Sequence, residues 1–225
     1  MGPVGEETGI AGSGNVVSES RDVGGFAGIV FASEGEVIIT QAEEASLVIE
    51  ADDNLQQHLH AAVGGNVLKI STADGVDIAP SHPPVFRIGI DSVTAIDLAG
   101  VGTIDIPSIG ADRLEVTLSG VGDIAIGTIA ATELTLNLGG VGTVSVTGTA
   151  GRLDAMVAGA SVLSAADLET RTATIHAAGS GDAIVWVSDA LEATAIDVAS
   201  IEYYGTPSVT KEVSSTANVA SLGAK

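Results

Sequence analysis

The chain has 225 residues, of which 45% are apolar but only 3% aromatic, and 29 acidic against 8 basic residues give a formal charge of −21. That charge opposes binding to nucleic acid or anionic membranes, and the lack of cysteine excludes disulfides, thiolate metal sites and cysteine nucleophiles. No apolar run is long enough to span a membrane, so the expectation is a protein with an aliphatic core and an acidic coat.

Residues 1–18 are rich in Gly, Ser and Glu without a sustained period and are expected to form a flexible tail. Met1–Glu7 shows neither the basic start nor the apolar run of a leader. Within the tail, Ala11-Gly12-Ser13-Gly14-Asn15 echoes a phrase that returns later and could be an outlying half-coil. From residue 19 a single domain is expected to run to residue 220. Its first part, 19–90, reads as short strands at Phe26 to Phe31, Glu36 to Thr40, Ser46 to Glu50 and Val67 to Ile70. Between them, Asp52 to Gly65 carries an Asp cap, apolar residues at Leu55, Leu59 and Ala62, and a closing glycine pair, which predict a short helix or helical turn. Asp74 to Pro84, with Pro80, Pro83 and Pro84, predicts a loop.

Residues 91–220 repeat. The phrase Leu98-Ala99-Gly100-Val101-Gly102 returns as Leu118-Ser119-Gly120-Val121-Gly122 and Leu138-Gly139-Gly140-Val141-Gly142, a fixed step of 20 residues. Weaker copies at Gly159, Gly179-Ser180-Gly181 and Ala199-Ser200 follow with steps of 19, 20 and 21. A constant period in this range means stacked units. Before each phrase, alternate residues form apolar columns: Thr94, Ile96, Leu98; Leu114, Val116, Leu118; Leu134, Leu136, Leu138; Leu153, Ala155, Val157; Ala173, Ile175, Ala177; and Thr194, Ile196, Val198. The period of two puts each column on one strand face and turns Glu115, Thr117, Thr135, Asn137, Asp154 and His176 outward. Ile104 and Ile106, Ile124 and Ile126, Val144 and Val146, and Leu163 and Ala165 repeat the pattern after the glycines. The predicted fold is all-β: a right-handed parallel β-solenoid of about 20-residue coils, with broader irregular coils in its N-terminal half. Six coils at about 4.8 Å each make a rod of roughly 30 Å. The turn glycines Gly100, Gly102, Gly120, Gly122, Gly140, Gly142, Gly179 and Gly181 are assigned to turn geometry, with positive φ at one or two positions per coil.

Arg21-Asp22-Val23-Gly24-Gly25-Phe26, Val37-Ile38-Ile39-Thr40-Gln41 and Leu47 to Leu55, with the glycine ladder and Tyr204-Gly205-Thr206-Pro207, resemble the head GIN domain family, described as putative auto-transporter adhesins. The resemblance covers about residues 12–220. It implies a β-solenoid, a cell-envelope or extracellular location and an adhesive role, and it brings no catalytic residues.

The candidate sites are few. The Gly-x-Gly phrases lack the third glycine of a dinucleotide fingerprint and the Gly-Lys-Ser/Thr of a P-loop. A calcium ladder fails because the position after the second glycine reads Thr103, Asp123, Thr143 and Asp182. His58 and His60 lie two apart, not in the i, i+4 spacing of a helical ligand pair. Asp52 and Asp53 suit helix capping better than an isolated cation. No catalytic residue, cofactor or metal is therefore assigned. On the solenoid registers Ile184 and Trp186 share a face, and they are the candidate contact patch. Burial of Trp186 under the C-terminal segment with Tyr203 and Tyr204 is the alternative. The expected function is a non-catalytic surface module presenting a rigid face to a glycan or a surface protein. The alternatives are self-assembly into a homo-oligomer through the solenoid ends and, third, a polysaccharide-acting enzyme.

Overall fold

Runs of β-branched residues broken by Gly, Pro and Asp fold as strands throughout, and the structure, a computed structural model, describes residues 9–214 and 216–225. The N-terminal half supplies β1 (Ile10–Ala11), β2 (Val16–Arg21), β3 (Gly28–Ala32), β4 (Glu34–Gln41), β5 (Ser46–Asp52), β6 (Leu59–Gly64), β7 (Val67–Thr72), β8 (Ile78–Ala79) and β9 (Val85–Ile90). The repeat region supplies β10 (Ala95–Leu98), β11 (Val101–Ile106), β12 (Ile109–Leu118), β13 (Val121–Leu138), β14 (Val141–Val157), β15 (Ala160–Ala177), β16 (Asp182–Ala195) and β17 (Ser200–Tyr204), followed by β18 (Ser208–Val213) and β19 (Asn218–Gly223). The stacked parallel strands form a β-solenoid of about 6 turns.

Stacking follows the repeat. β12 pairs with β13 so that Leu114, Val116 and Leu118 lie over Leu134, Leu136 and Leu138, and β14 continues the columns with Leu153, Ala155 and Val157. All nine are buried. The column through Leu136 runs Val116, Leu136, Ala155, Ile175, Ala193, so from Leu136 onward a large side chain always faces a small one. That alternation lets side chains of successive coils interdigitate without crowding. Each buried aliphatic side chain contributes about 1.5–3 kcal/mol, while Thr117, Asn137 and His176 face outward, with Met156 the one apolar member of that column between Asn137 and His176.

The irregularity of the N-terminal half has a definite form: its coils are not laid down in spatial order. β3 and β4 make one layer. On one side they pair with β10 and β11 of the repeat region, and on the other with β7 and β9, which come later in the sequence than β3 and β4. Phe31 and Phe86 meet edge-to-face across these layers, with ring centroids 5.1 Å apart. Beyond β7 and β9 the pairing turns antiparallel: β6 on β7, β5 on β9, and β2 on β5. The parallel stack is thus closed at this end by hairpin-like strands that block further parallel addition.

Three expectations are corrected and a fourth is narrowed. Residues 10–11 and 16–18 lie in strands rather than in a flexible tail, while residues 1–8 of that tail lie outside the described residues. Second, of the short helix or helical turn expected within Asp52 to Gly65 the structure has the turn, a 3₁₀ turn at Gln56–His58 followed at once by β6; pairing with β7 outweighs a cap on a segment too short to nucleate a longer helix. Third, the column starting at Thr94 begins one residue earlier, since Val93 is buried and Thr94 is exposed, donating its hydroxyl to the Ala27 carbonyl. Fourth, Thr194, Ile196 and Val198 are not the inward set of the last full coil. Leu191, Ala193 and Ala195 are, and Ile196 and Val198 are 43% and 61% exposed. The coil is short because Ala177 pairs with Ala195. Asp197, at φ 64°, takes the turn position that Gly179 holds one coil earlier at φ 65°. Asp tolerates that left-handed conformation better than most residues, and the glycine-based alignment passes over it.

The Asp pair has another role than helix capping. The buried Asp52 carboxylate accepts hydrogen bonds from the amide of Gly14 (2.7 Å) and from the hydroxyl (2.7 Å) and amide (2.8 Å) of Ser81. Asp53 accepts from the Ser13 hydroxyl and the Asn15 amide group. Both carboxylates hold the turn between β1 and β2, and Asp52 joins it to Ser81 of the proline loop. The Ser81 hydroxyl is the main cause that holds the Asp52 carboxyl below its ordinary range. A carboxyl so lowered contributes stability that is present above its unfolded pKa, about 3.9, and is lost as pH falls through the lower folded value. Asp52→Asn is therefore expected to melt below wild type at pH 7, with the difference shrinking below about pH 4. Thermal melts across pH 2.5–7 check this.

Candidate functional site

The first three turns of the repeat each place a valine between two glycines. Gly102, Gly122 and Gly142 sit at φ 154°, 142° and 143°, and a Cβ on Gly122 would lie 1.7 Å from the Gly102 carbonyl oxygen of the previous coil. Gly100, Gly120 and Gly140 are required by that stacking rather than by positive φ, since a Cβ there would meet a carbonyl at 1.9–2.1 Å. Gly179 is used for its φ of 65°, since a Cβ there would make only ordinary contact with the Gly159 carbonyl at 3.7 Å, while a Cβ on Gly181 would come within 2.6 Å of the Val157 carbonyl. The backbone therefore runs bare and close-packed along two parallel columns.

Between those columns stand Val101, Val121 and Val141. They pair in register and are 57%, 49% and 50% exposed. Flanked by glycines, they form a ridge of branched methyls with one valine per coil, about 4.8 Å apart. The ridge fades at Ala160, the next member of the column. In the sequence this phrase reads as a turn, and the ridge becomes visible only in the structure. The signal was present in three identical valines at a position where a core role is impossible.

At its other end the column continues into Glu34, which pairs with Val101. Here the loop carrying Pro80, Pro83 and Pro84 stands over β4 and β11 and encloses a cleft of about 600 Å³. Glu34 is half-buried. Burial, and then the nearby charge of Asp77, push its carboxyl above the ordinary glutamate range.

Ile184 and Trp186 both face outward on β16 and are half-buried. They do not form an open patch, because Trp186 pairs with Tyr204 and the Lys225 ammonium lies over both rings, 5.1 and 5.3 Å from their centroids. Lys225 is anchored there by Asp167 and the Ala166 carbonyl. Cation–π contact and burial under the C-terminal segment thus occupy the tryptophan face.

The remaining charges are distributed singly. Arg113–Glu133, Arg152–Asp154 and Arg171–Asp189 are exposed ion pairs, of the kind that contributes little. Among the described residues no group of three or more His, Asp and Glu could hold a metal, and no helix is long and apolar enough to cross a membrane.

Residues 25–207 match the family described as "Putative auto-transporter adhesin, head GIN domain". Among solved structures, the chain is similar to a putative adhesin from Bacteroides fragilis at 24% identity and a TM-score of 0.90, covering 95% of this chain and 100% of that one. It is also similar to a putative lipid binding protein from Parabacteroides distasonis at 20% identity and TM-score 0.74, covering 95% and 99%. A putative adhesin from Parabacteroides merdae matches at 17% identity and TM-score 0.75, covering 95% and 98%. At these identities the likeness is one of fold. No curated protein matches.

Proposed function

Because the chain belongs to the head GIN domain family of putative auto-transporter adhesins, we propose that it is a non-catalytic adhesion module of the cell surface or envelope that grips a protein partner along the valine ridge. The observation that carries this reading is the in-register exposure of Val101, Val121 and Val141 on a close-packed backbone. A row of branched apolar side chains that cannot retract into the core is pre-ordered for contact, so little conformational entropy is lost on binding. A protein surface fits better than a glycan. Sugars stack on aromatic rings, and the single tryptophan already has Lys225 over its face. The formal charge of −21 favours a partner with a basic surface and speeds its approach.

Val121→Glu tests this. It places a charge in the middle of the ridge on an exposed side chain, so the melting temperature should stay near wild type while adhesion of protein-coated beads to cell surfaces falls at least about tenfold, a cost typical of a central contact. Protease treatment of the cells should abolish wild-type adhesion and glycan removal should spare it. Retention of full adhesion by the variant would contradict the reading.

One observation favours a second reading, assembly through the solenoid end. β18 is exposed at every residue, with Val209 and Val213 among them, and pairs with β16 alone among the described residues. A free strand edge recruits further strands. Filaments or oligomers in light scattering, abolished by Val209→Lys, would support it.

A further inference from the structure

Glu34, which lines the cleft at the head of the ridge, carries the one buried side-chain polar atom left without a hydrogen-bond partner among the described residues, its Oε1. A carboxylate oxygen removed from water and unpaired carries a real cost, and such an orphan needs an explanation. Its neighbours Glu36 and Asp77 bring further negative charge rather than a counter-ion. The walls are Pro80, Pro83, Pro84, Ile78 and Val101, which are apolar rings and methyls. The volume of about 600 Å³ lies within the range of pockets that hold a ligand. A divalent cation would want six to eight oxygen ligands, and this lining does not offer them. An aliphatic stem ending in a positive charge satisfies both halves of the site, because its methylenes pack on apolar rings while its head pairs with the carboxylate.

We propose that this cleft is a subsite for a basic side chain of the partner protein, with Glu34 as counter-ion and the proline rings and Val101 around the stem. The inference rests on the reading of the valine ridge as a protein-contact face, and it extends that face by one specific contact at the end where the column changes from valine to glutamate. An approaching lysine or arginine would restore the ionised form of Glu34. Binding is therefore stronger at a pH above the raised pKa of this group than below it.

The test uses the whole chain and small probes, so its outcome does not depend on any partner being found. Amide resonances of ¹⁵N-labelled protein are followed during titration with n-butylammonium or n-butylguanidinium chloride, against sodium chloride at equal ionic strength. The expected result is saturable shifts confined to Gly35, Val101 and Gly102, with a midpoint on the order of 10 mM. The tighter of the two probes identifies the side chain as lysine or arginine. Glu34→Gln should weaken the binding about tenfold by removing the charged acceptor. A raised carboxyl pKa means that stability is present while the group is protonated and is lost as pH rises through the folded value. The amide, a mimic of the protonated form, should therefore melt no lower than wild type at pH 7, so any lost binding is not lost folding. Linear or dispersed shifts, unchanged binding in Glu34→Gln, or shifts at these amides with calcium but not with the organic cations would overturn the proposal. A positive titration alongside full adhesion by Val121→Glu would leave the subsite standing and remove the ridge, and the reverse pattern would do the opposite.

Discussion

Gly122→Ala should prevent the repeat coils from stacking. The added methyl would sit 1.7 Å from the Gly102 carbonyl oxygen, and that atom belongs to a rigid backbone paired on both sides. Neither coil can yield without breaking its ladder. The backbone at φ 142° adds a second penalty, since an L side chain in that region costs about 1–3 kcal/mol by itself. The two together exceed about 4 kcal/mol, a large part of the 5–15 kcal/mol that holds a domain folded. The expected observation is an insoluble product or a loss of cooperative melting. Gly139→Ala, in the turn of the next coil, is the matched control. No atom lies within 4 Å of its Cβ and its φ is not positive, so it should melt within a few degrees of wild type. Equal melting of the two variants would show that the stacking geometry is wrong.

Leu136→Asp should be comparably severe for a different reason. Leu136 is fully buried, between Val116 on one coil and Ala155 on the next, and no basic group shares its column. An unpaired carboxylate in such a place raises its pKa by about 3–5 units, which at about 1.36 kcal/mol per unit costs roughly 4–7 kcal/mol at pH 7. The lost aliphatic burial adds about 2 kcal/mol. Acidification should partly rescue the variant, because the neutral acid is cheaper to bury. Met156→Asp, on the outward face of the adjacent coil and 57% exposed, should shift stability by no more than about 0.5 kcal/mol. Urea melts at pH 4.5 and pH 7 read all of these differences.

Much of this architecture was legible in the sequence because a solenoid repeats its own evidence. The step of 20 residues gives the register of β12 on β13, the step of 19 to Gly159 gives that of the second half of β14 on β13, and alternation tells inward from outward at Leu134, Thr135 and Leu136. The reading slipped where a different residue took over a role. Asp197 adopts the conformation that Gly179 holds, and with no glycine to mark it the repeat pattern alone aligns the last coil late and turns Val198 inward. The N-terminal closure was not legible for a deeper reason. Its order depends on β7 and β9 returning to the far side of β3 and β4, and pairing between distant segments leaves no local pattern. Asp52 and Asp53 gave a genuine cap signal that tertiary hydrogen bonds to Gly14, Ser81 and Ser13 redirected.

The site was less legible than the fold. Trp186 drew notice as the single tryptophan, yet Lys225 lies over its ring. The valine ridge was overlooked because valine in a turn phrase reads as punctuation. Only the close approach of Gly100, Gly102 and their counterparts shows why the valine methyls must stand clear of the backbone. The cleft beside Glu34 needed the proline loop to be placed over β4 and β11, which no spacing rule supplies.

The most direct test of the ridge as the adhesive face moves one charge to two sides of the same coil. Val121→Glu and Ala130→Glu both alter exposed positions on β13, the second about half a coil further round. Their adhesion to intact cells is measured beside wild type, with melting curves to show that both are folded. Loss of adhesion by Val121→Glu alone is the predicted result. Equal adhesion by the two variants, whether both retained or both lost, would contradict it.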